Sequence, residues 1–179
     1  MAGTSFCSQE KLNKTLIFLA SLLNKHNITN WFIAYGTLLG IIRENSCVDN
    51  DDDIDIICDR NDYDKIKELL SSNGFTFEYG YDINTSKDIL KTKETSEYVT
   101  IDFYMAEINY ETGDYKDNWE KVTWSKCFDK NKQFIEKEWN DVTLFIPHDF
   151  ETKLEKRYGK NWRIPANFGG YKHDVINIL

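Results

Sequence analysis

The sequence predicts an α/β (α+β) chain folded as a single compact domain over residues 1–179, and three observations predict it. Residues 8–27 carry an apolar stripe at helical spacing. Asp53-Ile54-Asp55-Ile56-Ile57-Cys58 alternates with a period of two, directly after a second helical stretch. A further alternating run spans residues 97–105. Helical and strand periods interleaved along one chain require both kinds of element to share a core.

The first helix is read from Leu12, Leu16, Ile17, Leu19, Ala20 and Leu23, with Ser8 as its N-cap. Asn27 to Asn30 breaks it, and the aromatic-rich stretch Trp31 to Tyr35 reads as a strand. Gly36 is then a turn residue and Thr37 to Arg43 opens a short helix. A strand, a Gly turn and a helix N-terminus leave backbone N–H groups free to meet a phosphate. The aspartate strand follows. Asn61 to Asp64 caps a helix that runs to Ser72, with Tyr63, Ile66, Leu69 and Leu70 inward. Phe75 to Tyr79 is expected as a strand, and Asp82 to Glu97 as a loop or weak strand. Glu97 to Met105 sends Val99, Ile101 and Phe103 to one face and Thr100, Asp102 and Tyr104 to the other. Asn109 to Asp117 reads as a surface excursion. Val122 to Trp124, Phe134 to Trp139 and Val142 to Ile146 read as strands, the last two as a hairpin through Asn140-Asp141. A closing helix, Phe150 to Tyr158, ends at Gly159.

Composition bounds the function. A chain with 41% hydrophobic and 15% aromatic residues is not disordered, and a net charge of −8 argues against general nucleic-acid binding, which Lys and Arg dominate. Cys7, Cys47, Cys58 and Cys127 form no CxxC pair and no Cys/His zinc spacing. No apolar run approaches the ~20 residues of a membrane helix. The start of the chain has neither a secretory pattern nor a myristoylation glycine. The expectation is a cytoplasmic protein without membrane insertion.

The chemistry rests on carboxylates. Period-2 alternation places Asp51, Asp53 and Asp55 on one face of their strand. Ionised carboxylates this close repel unless a cation joins them, and oxygen-only donors suit Mg²⁺ or Mn²⁺, which also hold substrate phosphates. A solvated acidic loop is the plainer alternative, weakened by the interleaved Ile residues. A helix-loop-helix calcium site does not fit, because Ile56 stands where such a loop needs Gly and Asp62 where it needs Glu. Asp102 is one carboxylate inside an otherwise apolar strand, and a buried charge needs a partner; the same cation would supply it. Gly36 and Thr37 are the phosphate-cradle candidates. Arg43, about two turns along the same helix face, is either a diphosphate clamp or an ion-pair partner of the Asp run. Lys153, Lys156, Arg157 and Lys160 read first as a solvated basic face. His148 and His173 have no partner at a catalytic spacing, and Tyr158 and Trp162 read as packing residues.

Two separated segments resemble the LicD and fukutin-related family of the nucleotidyltransferase-fold superfamily. They are Gly36-Thr37-Leu38-Leu39-Gly40-Ile41-Ile42-Arg43 with Asp51-Asp52-Asp53-Ile54-Asp55-Ile56, and the closing stretch from Leu154 to Pro165. The resemblance implies a nucleotidyltransferase-like mixed β-sheet flanked by helices, with core motifs in residues 31–165. It implies Asp53 and Asp55 as the metal pair, Asp102 as the third carboxylate and Asp51 as the extra leading aspartate of this branch. It also raises Arg157 and Arg163 as donor or acceptor contacts. The activity implied is transfer of a phospho-alcohol, such as phosphocholine or ribitol phosphate, from a CDP-activated donor to a glycan or glycoconjugate, releasing CMP. Asp102 or Asp51 is then the candidate general base. The sequence departs from the family at Asp49-Asn50, where a Pro-Trp pair is usual. Two alternatives stay open: a nucleotidyltransferase that moves NMP from an NTP onto a protein, antibiotic or small molecule, and an inactive nucleotide-binding domain of the same fold. A sugar-nucleotide glycosyltransferase with a DxD motif is disfavoured by the Gly-Thr segment so close before the aspartates.

Overall fold

The computed structural model describes residues 8–83, 85–165 and 176–179; Cys7 and His173 lie outside the described residues. Helix α1 (Gln9–Lys25) starts where Ser8 Oγ accepts from the Lys11 amide at 3.2 Å, and it buries Leu12, Leu16, Leu19, Ala20 and Leu23 on one face. Strand β1 (Trp31–Ile33) leads into α2 (Tyr35–Glu44), and strand β2 (Asp53–Asp59) into α3 (Tyr63–Ser72). Strands β3 (Ile89–Lys91), β4 (Thr100–Asn109), β5 (Asp114–Asp117) and β6 (Val122–Trp124) follow, then the hairpin β7 (Ile135–Trp139) and β8 (Val142–Ile146), and α4 (Phe150–Tyr158).

The main sheet runs β1-β2-β4-β5-β6, with β3 also paired to β4. Among the named strands β2 and β4 run parallel and the other pairs antiparallel, so the sheet is mixed, as expected, and Thr123 of β6 adds an isolated parallel bridge to Ile178. Helices α1 and α2 pack on β2, and the β7–β8 hairpin packs on α1 and β1. Both faces of β2 are therefore covered, which is why Ile54, Ile56, Ile57 and Cys58 are all buried instead of alternating. Cys47, Cys58 and Cys127 are buried free thiols. No described helix is long and apolar enough to cross a membrane.

Four local expectations are corrected. Tyr35 opens α2 instead of closing β1, which places Gly36 inside the first helical turn and not in a loop. Residues 75–79 contribute a single bridge, Phe77 to Thr92, because left-handed Tyr81 and Asp82 (φ 48° and 65°) turn the chain away from the sheet. Residues 109–117 are no surface excursion: β4 extends to Asn109 and returns through β5, burying Tyr115 and Asp117. Tyr115 packs edge-on against Phe32 and Phe128, and one inward aromatic in a four-residue strand leaves no periodic signal. Lys153 is buried, its Nζ donating to the His148 carbonyl at 2.8 Å, so the basic face of α4 does not include it. The Asn140-Asp141 hairpin stands: both residues are left-handed, at φ 46° and 64°, as a type I′ turn requires.

Gly40 sets how close α2 lies to the loop that delivers the aspartates. A methyl group there would stand 2.5 Å from the Ser46 carbonyl oxygen and 2.8 Å from the Val48 amide nitrogen, both backbone atoms that cannot swing aside. Gly40→Ala is therefore expected to destabilise the fold by about 1–3 kcal/mol despite the better helix propensity of Ala. Chemical denaturation of the two proteins checks this; an unchanged midpoint would mean that the loop yields freely.

Candidate active site

The parallel register of β2 and β4 sets Asp55 opposite Asp102 and Asp53 opposite Thr100. Carboxylate oxygens of Asp53, Asp55 and Asp102 all lie within 4.8 Å of one another, although Asp55 and Asp102 are buried. Asp51 precedes β2 after a left-handed turn at Asn50 (φ 64°), and Asp51, Asp52 and Asp53 make a second, overlapping oxygen cluster.

Each carboxylate is aimed by a different neighbour. Asp55 Oδ1 accepts from the Tyr104 hydroxyl and Oδ2 from the Gly36 amide, both at 3.2 Å, while the Asp55 amide donates to Thr37 Oγ1 at 2.9 Å. Helix α2 is thus pinned to β2 at the point where the aspartates emerge. Asp51 closes over Gly36: a Cβ there would be 2.7 Å from Asp51 Oδ2. Asp102 faces Lys91 on β3, with Nζ 3.2 Å from Oδ2 and 3.1 Å from Oδ1. The Oδ1 contact is an ion contact without hydrogen-bond alignment, so this buried oxygen has no hydrogen-bond donor.

The electrostatic consequence is that the carboxyls resist ionisation. Burial, then the charges of Asp55 and Asp102, pushes Asp53 up to about 10. Burial and the charge of Asp102 likewise raise Asp55 well above the carboxylate range. Asp102 is raised by burial, with Lys91 opposing. Burial holds Asp51 at about 6. A buried oxygen without a donor, three converging carboxylates and suppressed ionisation together describe a donor set that fits a hard divalent cation.

The cluster opens into a cavity of about 650 Å³, whose walls include Gly36, Arg43, Asp49, Asn50, Asp51, Asp53, Asp55, Tyr104, Glu120, Arg157 and Tyr158. That volume suits a nucleotide-sized ligand. One wall is fixed by Tyr35, which adopts φ 43°, a left-handed conformation that strains a bulky residue. Its hydroxyl donates to Asp117 Oδ2 at 2.7 Å and accepts from Trp124 Nε1 at 3.3 Å. Its ring carries the Arg157 guanidinium at 4.8 Å.

Of the sequence candidates, Asp51, Asp53, Asp55, Gly36, Arg43 and Arg157 meet at this cavity, and Asp102 stands behind Asp53 and Asp55. Thr37 is buried and engaged by the Asp55 amide, so its side chain supports the site from beneath and does not line it. Arg163 is elsewhere, paired with Glu151 at 3.1 Å and stacked over Trp162, with more than half its side chain exposed. Arg43 pairs with its neighbour Glu44 at 2.9 Å and donates to the Trp162 carbonyl at 3.3 Å. Sequence reasoning missed Lys91, Tyr35 and Asp117. Tyr104 was legible as the neighbour of Asp102 on the same strand face; Asp117 offered no signal, because the polar stretch around it concealed a buried strand.

Comparison with known proteins now decides the family. The family described as LicD/FKTN/FKRP, nucleotidyltransferase domain, matches residues 27–166. The chain belongs to this family. Membership makes it a transferase of the nucleotidyl- or phosphoryl-transfer type. Among solved structures, the lincosamide antibiotic adenylyltransferase LnuA, lincomycin-bound, aligns with a TM-score of 0.57 at 17% identity, covering 84% of this chain and 86% of that one. The antibiotic-resistance factor ANT(2'')-Ia aligns with a TM-score of 0.56 at 12% identity, covering 78% of this chain and 66% of that one. At these identities the likeness shows a shared nucleotidyltransferase fold. No curated protein matches the chain.

Two expectations follow. In the metal-free protein Asp53 keeps its proton while the unfolded chain loses it above pH ~4, so the native state binds more protons and stability falls as pH rises toward the folded value near 10. Asp53→Asn removes that penalty: it is expected to stabilise the metal-free protein at pH 8 by about 1 kcal/mol or more, a Tm rise of about 2–4 °C per kcal/mol. It should also abolish stabilisation by Mn²⁺, which in the LicD/FKTN/FKRP protein itself should be larger at pH 8 than at pH 6, because the cation displaces protons. Thermal melts at both pH values check this, and a destabilised Asp53→Asn would mark the cluster as structural. Gly36→Ala is expected to leave Tm nearly unchanged, because only the Asp51 side chain must move, while weakening Mn²⁺ binding about 10- to 100-fold, as read by calorimetric titration.

Proposed function

We propose that this LicD/FKTN/FKRP domain transfers a phospho-alcohol from a CDP-activated donor to a hydroxyl of a glycan or glycoconjugate, releasing CMP. The observation that carries the reading is the convergence of Asp53, Asp55 and Asp102 from two parallel strands at the floor of a nucleotide-sized cavity with Arg43 and Arg157 in its walls. Family membership supports the donor class. Asp53 and Asp55, with Asp102 behind them, are the residues that would hold Mg²⁺ or Mn²⁺, which when bound offsets charge on the donor phosphates.

The chain's own residues supply the rest. Arg157, placed over the Tyr35 ring, presents its guanidinium to the diphosphate, and Arg43 adds a second cation from α2. The acceptor hydroxyl oxygen attacks the phosphorus that bears the alcohol, the bond to the bridging oxygen breaks, and CMP departs with that electron pair. The hydroxyl proton passes to a carboxylate. Asp51 fits this role better than Asp102, because it lines the cavity and is held at about 6 by burial, near neutral pH, whereas Asp102 lies behind and faces Lys91. Asp53 and Asp55 do not serve as bases, being committed to the cation.

Thermal shifts with CDP-choline, CDP-ribitol, CDP-glycerol, CTP, ATP and UTP, each with and without Mg²⁺ or Mn²⁺, identify the donor. A bound donor at ~100 times its dissociation constant adds about 2.7 kcal/mol of stability. With a glycan acceptor present, ³¹P NMR is expected to show CMP formed at the expense of one CDP-alcohol, and no turnover with Asp53→Ala or Asp55→Ala. Pyrophosphate release from a nucleoside triphosphate, with nucleotide on the acceptor, would replace this reading by NMP transfer. No response to any nucleotide or cation would leave an inactive domain.

A further inference from the structure

The far end of β2 carries a second cavity, which the transfer chemistry does not use. It holds about 460 Å³, and five aromatic rings line it, those of Tyr110, Tyr115, Phe128, Phe134 and Phe145. Asp53 opens β2 beside the acidic cluster and Asp59 closes it beside Asn30, which lines this second cavity, so the two cavities lie about 20 Å apart at ~3.3 Å per residue. Ring centroids here are separated by 5.8 Å (Tyr115 to Phe134) to 6.5 Å (Tyr110 to Phe128), wider than the 5.0 Å of Tyr35 on Tyr104 in the core. The rings therefore surround a hollow. Phe128, Phe134 and Phe145 are only partly covered, and Tyr110 is 46% exposed.

The exposed ring is nevertheless fixed. The Tyr110 hydroxyl donates to Asp59 Oδ2 at 2.9 Å, Asn30 Nδ2 donates to the same buried oxygen at 3.2 Å, and the Tyr115 hydroxyl donates to Asn30 Oδ1. A charge-assisted network beneath the cavity thus holds one wall ring and one floor ring in place. The rim is fixed as well: Asp129 Oδ1 accepts from the Asn131 and Gln133 amides at 2.8 Å and 3.0 Å, and His148 Nε2 lies 3.1 Å from the Gln133 carbonyl oxygen. This turn presents the side chains of Asn131 and Gln133 at the mouth, and neither has a hydrogen-bond partner among the described residues. Lys132, whose ammonium is 5.7 Å from the Tyr110 ring centroid, and Glu136 are the two charged lining residues, and their charges offset each other.

These walls select a chemistry. Aromatic faces carry negative potential and suit C–H groups, and the neutral amides suit hydroxyls. A phosphate would meet one ammonium offset by a carboxylate, and a purely apolar ligand would cover the amides without bonding to them. A sugar ring offers both a C–H face and a girdle of hydroxyls. We infer that this cavity is a carbohydrate-binding site for an uncharged saccharide, separate from the candidate active site. Tyr110 and Phe134 stack on the C–H faces of the sugar, and Asn131 and Gln133 bond to its hydroxyls. The inference does not rest on the transfer reaction proposed above.

The test needs no metal, donor or turnover. The protein is applied to an array of defined gluco-, galacto-, manno-, xylo- and N-acetylhexosamine oligosaccharides, and a retained sugar is titrated calorimetrically. At least one is expected to bind. Tyr110→Ala, with its folding checked by its melting curve, should weaken that sugar about tenfold or more. Gln133→Ala, whose side chain makes no contact that the fold needs, should weaken it about threefold or more, and Asp53→Ala should leave it unchanged. Retention of no sugar overturns the inference, as does wild-type affinity in folded Tyr110→Ala. Binding lost in Asp53→Ala but intact in Tyr110→Ala places the sugar at the active site and overturns it too. Tetramethylammonium chloride, titrated in parallel, is expected not to bind; its binding at Tyr110 in place of every sugar would make the rings a cation cage and overturn the carbohydrate reading.

Discussion

The parallel pairing of β2 with β4 forces Asp55 and Asp102 to face each other across one ladder rung, and repulsion between those buried carboxylates governs the remainder of the site. Adjacent strands lie only about 4.8 Å apart, so the groups cannot separate without breaking the sheet. Every nearby polar contact answers that repulsion. Tyr104 and the Gly36 amide each give Asp55 a hydrogen bond, and Lys91 faces Asp102. What these neighbours do not neutralise is taken up as protons on the buried carboxyls, Asp53 being pushed up to about 10 and Asp55 raised well above the carboxylate range. A fold that holds acidic groups in their protonated form at neutral pH is poised to exchange those protons for a cation, and that exchange is the physical basis for reading the cluster as a metal centre.

The second constraint is the entry into α2. A nucleotide-sized cavity requires the helix to start within hydrogen-bonding reach of β2, and the chain achieves this by turning through a left-handed tyrosine. Such strain persists only where the surroundings over-determine it. At Tyr35 they do so through Asp117, Trp124, Tyr104 and Arg157, drawn from β5, β6, β4 and α4. The short hairpin strands β5 and β6, which look dispensable from their length, are therefore what hold the cavity's shape. Asp117, fully buried, also caps the turn after β5 by accepting from the amides of Trp119 and Glu120. Burial holds it at about 6, with the Tyr35 hydrogen bond opposing the rise.

How much of this was legible in the sequence depends on how far each residue's neighbours lie along the chain. The α1 stripe, the Asp53–Cys58 strand and the Asn140-Asp141 turn are local patterns, and each forms as expected. Asp53, Asp55 and Asp102 were found because two alternating strands each carried acid on one face. Lys91 escaped because its role is set by pairing with residue 102, on another strand, and nothing in Ile89-Leu90-Lys91 indicates register. Tyr35 escaped because a left-handed backbone at a bulky residue is imposed by tertiary contacts against local preference. Arg163 was suggested by its neighbourhood in the closing segment, and folding sends it to Glu151 instead.

The departure at Asp49-Asn50 bears on what the cavity accepts. Asn50 is left-handed at φ 64°, a conformation that Asn tolerates through its short polar side chain and an indole-bearing residue resists. The Asp49 carboxylate accepts from the Gln9 amide at 3.2 Å, tying this loop to the start of α1. An acid and an amide thus line the wall where the family usually places Pro-Trp, and the aromatic surface that remains comes from Tyr35, Tyr104 and Tyr158 on the cavity's other sides. An alcohol held at the Asp49-Asn50 wall meets hydrogen-bond acceptors, an amide donor and negative charge in place of a ring face. Such a wall matches hydroxyl and N–H groups, whereas a permethylated cation needs aromatic faces on several sides.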